Sequence, residues 1–323
     1  MDFFQLISDL EKADPEFLDR INPRRRVFKY LGNTGKKMTA AAVPAVLASF
    51  FNKAYGQTTA LPATVVAVLD LALQLEYLEY YFYNTALATT GIVGAAETDA
   101  IRTILNDEAG HISSLRGIPG WTPRADPGRA AFDYSGGSGT GTGPLAAALA
   151  PGAANQQLLF YGAAQAFADT GMRAYKGGAP VLNTAATKDI LEAALNIHSV
   201  EARHNSHFRT VRRGLVANTL GVATAPAVAP YDAAPKSWIS NIDNGGPVLP
   251  SGAHPAAAVY NAGTPAASYP AESNTAQAGI TLTTLNAAYT ATAVAEAFDE
   301  PLDAATVKTI AKMFVTPASG LFN

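Results

Sequence analysis

The feature that most constrains this chain is a pattern that occurs twice. Glu108-Ala109-Gly110-His111 and Glu201-Ala202-Arg203-His204 each place a histidine three residues after a glutamate. Each pair follows a carboxylate at the same distance: Glu76 stands 32 residues before Glu108, and Asp169 stands 32 residues before Glu201. With 11 glutamates and 5 histidines in 323 residues, chance supplies about 0.2 Glu-x-x-His pairs. On a helix, positions i and i+3 share a face, so the carboxylate and imidazole of one pair can reach the same metal ion. One such pair alone reads as a solvated surface pair. Two, at equivalent places in two hairpins, point to a shared centre.

The intervening sequence is helical. The run Leu61–Leu87 starts after Pro62, with Thr64 as a candidate cap, and stops before Gly91. At 1.5 Å per residue it spans ~40 Å, long for a globular helix. A second helix is expected from about Ala95 to Arg116, ending at Gly117. Residues 117–151 break the periodicity with Pro119, Pro123, Pro127 and the Gly/Ser/Thr run ending at Pro144. A third helix is expected from about Ala153 to Lys176, stopped by Gly177-Gly178, and a fourth from about Thr184 to Ala217. Short turns inside each pair and a long crossover between helices 2 and 3 give an all-α, ferritin-like four-helix bundle over residues 58–217. A pseudo-twofold bundle would bring Glu76, Glu108, His111, Asp169, Glu201 and His204 inward at one level. Glu79, one turn beyond Glu76, is the competing carboxylate on the first helix. His198, three residues before Glu201, is a candidate extra ligand or partner to one. His207 reads as a helix-surface residue, Tyr80, Tyr81 and Tyr83 as core, and Arg203 and Arg209 as facing solvent or an acidic neighbour.

The flanks differ from the bundle. Residues 1–57 form an N-terminal arm whose first 22 residues have a helical apolar face. Arg25-Arg26-Val27-Phe28, followed by the mildly apolar run 38–51 and by Ala54-Tyr55-Gly56, resembles a twin-arginine export signal. That motif predicts an exported, periplasmic or cell-envelope protein; if the arm is structural, the protein is cytoplasmic. Residues 218–323 are rich in Ala, Pro, Gly and Thr and poor in charge. Trp238, Ile239, Val248, Leu249, Val259, Tyr260 and Tyr269 are dispersed apolar anchors in it. They predict a loop-rich extension wrapped on the bundle, closed by helices at about Leu282–Phe298 and Asp303–Phe314.

Composition removes several alternatives. The chain has no cysteine, so disulfides, thiolate metal sites, iron–sulfur clusters and a cysteine nucleophile are excluded. A net charge of -3 speaks against a nucleic-acid partner. No apolar run approaches the ~20 residues of a membrane span. The glycines at 136–143 follow no strand and open no helix, unlike a phosphate loop, and there is no Gly-x-Ser-x-Gly elbow.

Five segments carry a family resemblance: LEYLEYYFYNTAL (75–87), NDEAGHISSLR (106–116), FADTGMRAYKGGAPVL (167–182), IHSVEARHNSHFR (197–209) and AFDEPLD (297–303). In these, the chain resembles the ferritin-like superfamily, and more closely the exported bacterial ferritin-like domain proteins often labelled desiccation-related. The resemblance covers the bundle and C-terminal helix. It implies two Fe or Mn ions held by Glu76, Glu108, His111, a third-helix carboxylate, Glu201 and His204, with a small-molecule oxidant such as dioxygen or peroxide as substrate. Similar proteins carry Glu-Asp where this chain has Ala168-Asp169. Spacing to a later tyrosine agrees with that register, being seven residues both from Glu76 to Tyr83 and from Ala168 to Tyr175. The 32-residue spacing favours Asp169 instead. An aspartate is one methylene shorter than a glutamate, which leaves an asymmetric, mononuclear or vestigial site open. Two functions follow: a redox metalloprotein of oxidative-stress protection, ferroxidase- or manganese-catalase-like, or a structural, stress-protective scaffold with a degraded centre. In either, the arm and the extension offer surface for homo-oligomer formation.

Overall fold

The computed structural model describes residues 60–154, 156–216, 236, 238, 239 and 257–323. The N-terminal arm with its twin-arginine-like residues, and the anchors Val248 and Leu249, lie outside the described residues.

Four main helices pack as a bundle, as the periodicity predicts: α1 (Ala63–Ala88), α2 (Thr98–Arg116), α3 (Gln156–Leu182) and α4 (Lys188–Val216). Pro62 sits at the N-cap of α1 and no side chain caps that helix, so Thr64 lies within the first turn and is not the cap. Helix α1 is apolar on nearly every side and is correspondingly buried without a break from Leu71 to Glu79. It packs against α2 and α3, while α3 packs along α4. Rings lock the centre. Phe82 stacks on Phe160 at 5.1 Å and meets Phe167 edge-on at 5.1 Å, and Tyr83 stacks on Phe208 at 5.7 Å.

Two helix boundaries move relative to the sequence reading. Helix α3 does not stop at Gly177-Gly178; it runs on through Pro180 to Leu182. These glycines serve close packing, not termination. A Cβ on Gly177 would stand 2.0 Å from the carbonyl oxygen of Leu302, and one on Gly178 would stand 2.8 Å from Val68 Cγ1. Helix α4 begins at Lys188 rather than near Thr184, because Thr184 and Thr187 form a hydroxyl-bonded turn at 2.6 Å before it.

In the crossover, short 3₁₀ turns at Arg129–Ala131 and Ala146–Leu149 interrupt the loop. The glycine-rich run folds around Asp133, whose carboxylate accepts the backbone N–H groups of Ser135 (3.0 Å), Gly139 (2.7 Å) and Gly141 (3.1 Å). Those donors are turned onto a protein carboxylate.

Residues 257–323 form α5 (Ala257–Tyr260), a two-residue hairpin of β1 (Ala276–Gln277) and β2 (Ile280–Thr281), α6 (Ala291–Ala295) and α7 (Ala304–Lys312); α5 packs on α3, and α7 on α1 and α3. The expected helix over 282–298 reduces to a 3₁₀ turn at Leu282–Thr284 and the five residues of α6. Leu285 and Tyr289 are exposed, so this stretch has no apolar face to bury as a helix. Asp303 caps α7, accepting from Ala305 N (3.1 Å) and Thr306 N (3.0 Å). Of the apolar anchors, Ile239, Val259 and Tyr260 are buried, whereas Trp238 is half exposed and anchors nothing. Among the described residues no helix is long and apolar enough to cross a membrane.

Candidate metal centre

The three bundle helices α1, α2 and α4 aim charged side chains into an otherwise apolar interior. Leu73, Phe82 and Ala168 in that core are fully buried, and so is Glu108; Glu76, Glu79, Glu201 and His204 are buried beside them. One donor atom from each of Glu76, Glu108, His111 and Glu201 lies within 4.8 Å of all the others. His111 Nδ1 is 3.0 Å from Glu76 Oε2, 3.3 Å from Glu108 Oε2 and 3.4 Å from Glu201 Oε1. His204 Nδ1 stands 3.2 Å from Glu108 Oε1 and 3.6 Å from Glu201 Oε2. The i, i+3 spacing on α2 and α4 thus places both Glu-x-x-His pairs on facing surfaces.

Neighbours fix the ends of these side chains. Tyr175 on α3 donates its hydroxyl to Glu76 Oε1, and Tyr83 donates to Glu79 Oε2 at 2.9 Å. His204 presents Nε2 to Asp107 Oδ2 at 3.1 Å, which orients the ring so that Nδ1 faces the carboxylates. Glu79 Oε1 lies toward α3 at Gly171: a Cβ there would meet Glu79 Oε1 at 3.2 Å and Glu201 Oε2 at 3.7 Å.

The arrangement is electrostatically short of positive charge. Burial drives Glu76 up to about 8, against the lowering effect of His111. Glu79 is raised well above the carboxylate range by burial and by the charges of Glu201, Glu108 and Glu76. Burial works against charged histidines here, yet the surrounding carboxylates outweigh it: Glu76 leads in raising His111 well above its usual value, and Glu201 leads in pushing His204 up to about 12. Burial alone would raise Glu108, but the nearby imidazoles of His111 and His204 hold it low. Both oxygens of Glu108, both of Glu201 and Nδ1 of His204 are buried without a hydrogen-bond partner among the described residues. Three carboxylates and an imidazole that converge, with His204 beside them and acceptors unsatisfied, suit a hard or borderline cation held by oxygen and nitrogen.

Not every candidate arrives. Asp169 is buried on α3, but its Oδ2 is taken by Arg209 Nη2 (2.5 Å) and Tyr260 OH (2.6 Å). The structure therefore brings Asp169 to a structural ion pair with α4 and the C-terminal segment, not to the cluster. Ala168, its neighbour in the competing register, is fully buried and has no donor. Arg209 faces that acidic neighbour, while Arg203 is exposed. His198 is not among the converging groups; burial and the charge of Lys176 hold it below the usual histidine range. His207 pairs with Glu97 at 2.9 Å at the bundle surface. Sequence reasoning overlooked Asp107 and Gly171. The signal for Asp107 was its place beside Glu108; for Gly171 there was none short of knowing what faces it.

A helical bundle with a buried carboxylate–histidine cluster at its centre defines a ferritin-like domain with a candidate metal site. The family described as Ferritin-like domain matches the chain over residues 64–213, which spans all four helices. Comparison with curated proteins and with solved structures gives no match.

Proposed function

We propose that the chain is a ferritin-like metalloprotein whose Glu/His cluster holds Fe or Mn for redox protection, in the manner of a ferroxidase or a peroxide-consuming catalase. The observation that carries this reading is the convergence of Glu76, Glu108, His111 and Glu201, with the oxygens of Glu108 and Glu201 unsatisfied in a buried core. When bound, iron or manganese supplies one-electron exchange with dioxygen or peroxide. The chain's own residues do the rest. Tyr175 and Tyr83 hold the far oxygens of the two α1 glutamates, and Asp107 fixes the tautomer and orientation of His204. The surroundings are buried and largely apolar, which strengthens every charge interaction inside. The twin-arginine-like segment adds the proposal of export in a folded state, which would carry the centre across the membrane already assembled.

The test is metal analysis of protein purified without chelator, followed by anaerobic Fe(II) and Mn(II) titration. Stoichiometric metal in the wild type, lost in Glu108→Gln and Glu201→Gln with helix content retained, supports the reading. Fe(II) oxidation and peroxide consumption by the loaded protein then separate the two chemistries. A protein that rejects both ions while fully folded overturns it. A second reading, a non-catalytic stress-protective scaffold, is favoured by one observation: α3 contributes Ala168 and an already paired Asp169 where a ligand is expected.

A further inference from the structure

We infer that Glu79 on α1, rather than any carboxylate on α3, is the terminal ligand of a second cation beside His204, with Glu108 and Glu201 spanning both positions. This rests on the proposed metal function and specifies the number and partition of its ions.

The oxygens are already divided between two places. Glu108 turns Oε2 toward His111 and Oε1 toward His204, at 3.3 and 3.2 Å. Glu201 does the same with Oε1 and Oε2, at 3.4 and 3.6 Å. Each central glutamate thus offers one oxygen to each imidazole, the disposition of a carboxylate that bridges two ions. The imidazole ring centroids stand 6.3 Å apart. At the His111 end, the terminal carboxylate is Glu76, 3.0 Å from Nδ1. At the His204 end, α3 brings no carboxylate into the cluster: Ala168 has no donor, and Asp169 lies outside the converging group with Oδ2 turned to Arg209 and Tyr260.

Glu79 is the buried carboxylate left to serve that end. One turn beyond Glu76, it lies on the same face of α1. Its Oε1 and Glu201 Oε2, the oxygen that Glu201 turns to His204, both come within contact distance of the point where a Gly171 Cβ would be. Gly171 is therefore the gap in α3 into which the Glu79 carboxylate fits. The two ends then match in form: Glu76 is held by Tyr175 and Glu79 by Tyr83, each through the oxygen that is turned away from the centre. A side chain from one helix stands in for the missing one on its neighbour.

The experiment is anaerobic Mn(II) titration by calorimetry, with electron paramagnetic resonance on the loaded protein. Wild type should take two ions and give the broadened spectrum of coupled Mn(II). Glu79→Gln, isosteric and uncharged, should take one and give the sharp six-line spectrum of an isolated ion. Glu79→Asp should weaken the second ion at least tenfold and leave the first within about twofold. Two ions bound by Glu79→Gln with unchanged affinity would overturn the inference, as would a wild type that takes only one; in both cases the metalloprotein reading stands. A wild type that takes none overturns both.

Discussion

At the scale of single residues, the least expected group is Arg173, a guanidinium with no exposure at all. Its partners explain how it is tolerated. It pairs with the fully buried Glu272 at 2.8 Å and donates to the carbonyls of Val259, Asn261, Pro270, Glu300 and Pro301. One α3 side chain thus ties five backbone groups of the C-terminal segment. Burial pushes Glu272 up to about 8 in spite of Arg173, so the pair is weak support for stability, but breaking it is costly. Arg173→Met should cost about 3–5 kcal/mol, read as a fall in denaturant midpoint. Adding Glu272→Gln should recover part of that loss, because the orphaned acid is then gone; an additive double mutant would show that the two groups do not interact. The same accounting explains why Asp169 misled the sequence reading. Spacing says which face of a helix a carboxylate is on, but not what waits there. Its partners are Arg209 on another helix and Tyr260, which comes from 91 residues further along the chain. Tyr260 lies in a segment with no periodicity to locate it.

At the scale of elements, glycine decides two opposite outcomes. Gly110, between Glu108 and His111 on α2, has open space where a Cβ would go. Gly177 on α3 has the Leu302 carbonyl oxygen 2.0 Å from that point. An intrinsic helix preference would reward Gly→Ala at both sites. Gly110→Ala should stabilise the protein by about 0.5–1 kcal/mol. Gly177→Ala should instead destabilise it by about 1–3 kcal/mol, since backbone, not a pliable side chain, must move. Thermal melts of the two variants provide the check, and equal shifts of the same sign would refute the close-packing role of Gly177. That residue also shows which boundaries were legible. The two hairpins were, because Leu, Phe and Tyr recur at helical spacing through α1 and the Glu-x-x-His pairs mark α2 and α4. The end of α3 was not: a Gly-Gly pair looks the same whether it ends a helix or lets another segment cross it. The 282–298 stretch failed for the converse reason, since its Ala/Thr content suits a helix but, apart from Val294 and Ala295, gives it little to bury.

At the scale of the whole molecule, the C-terminal segment completes the bundle that the first hairpins leave open. Phe314 meets Phe167 edge-on at 4.7 Å, and Phe322 is fully buried with its N–H on Gln74 Oε1 of α1 at 2.5 Å. Phe132 of the crossover bridges to Val315, and Thr316 N donates to Ala131 O. The segment also packs beside the candidate metal site. Glu79 shares a pocket of about 10 Å³ with Leu75, Leu78, Phe167, Thr170, Ile310, Ala311 and Phe314, at most the space of one water. Ile310 and Ala311 of α7 therefore line the small space beside Glu79. Contacts that interleave in this way leave no surface along which bundle and segment could part cheaply, so they should unfold together. Phe314→Ala should lower the stability of that single transition by about 3–5 kcal/mol. In native-state hydrogen exchange, amides of α3 and α7 should then lose protection by the same free energy. A separate early transition confined to residues 257–323, with α3 unchanged, would mean that the segment only rests on a bundle able to stand alone.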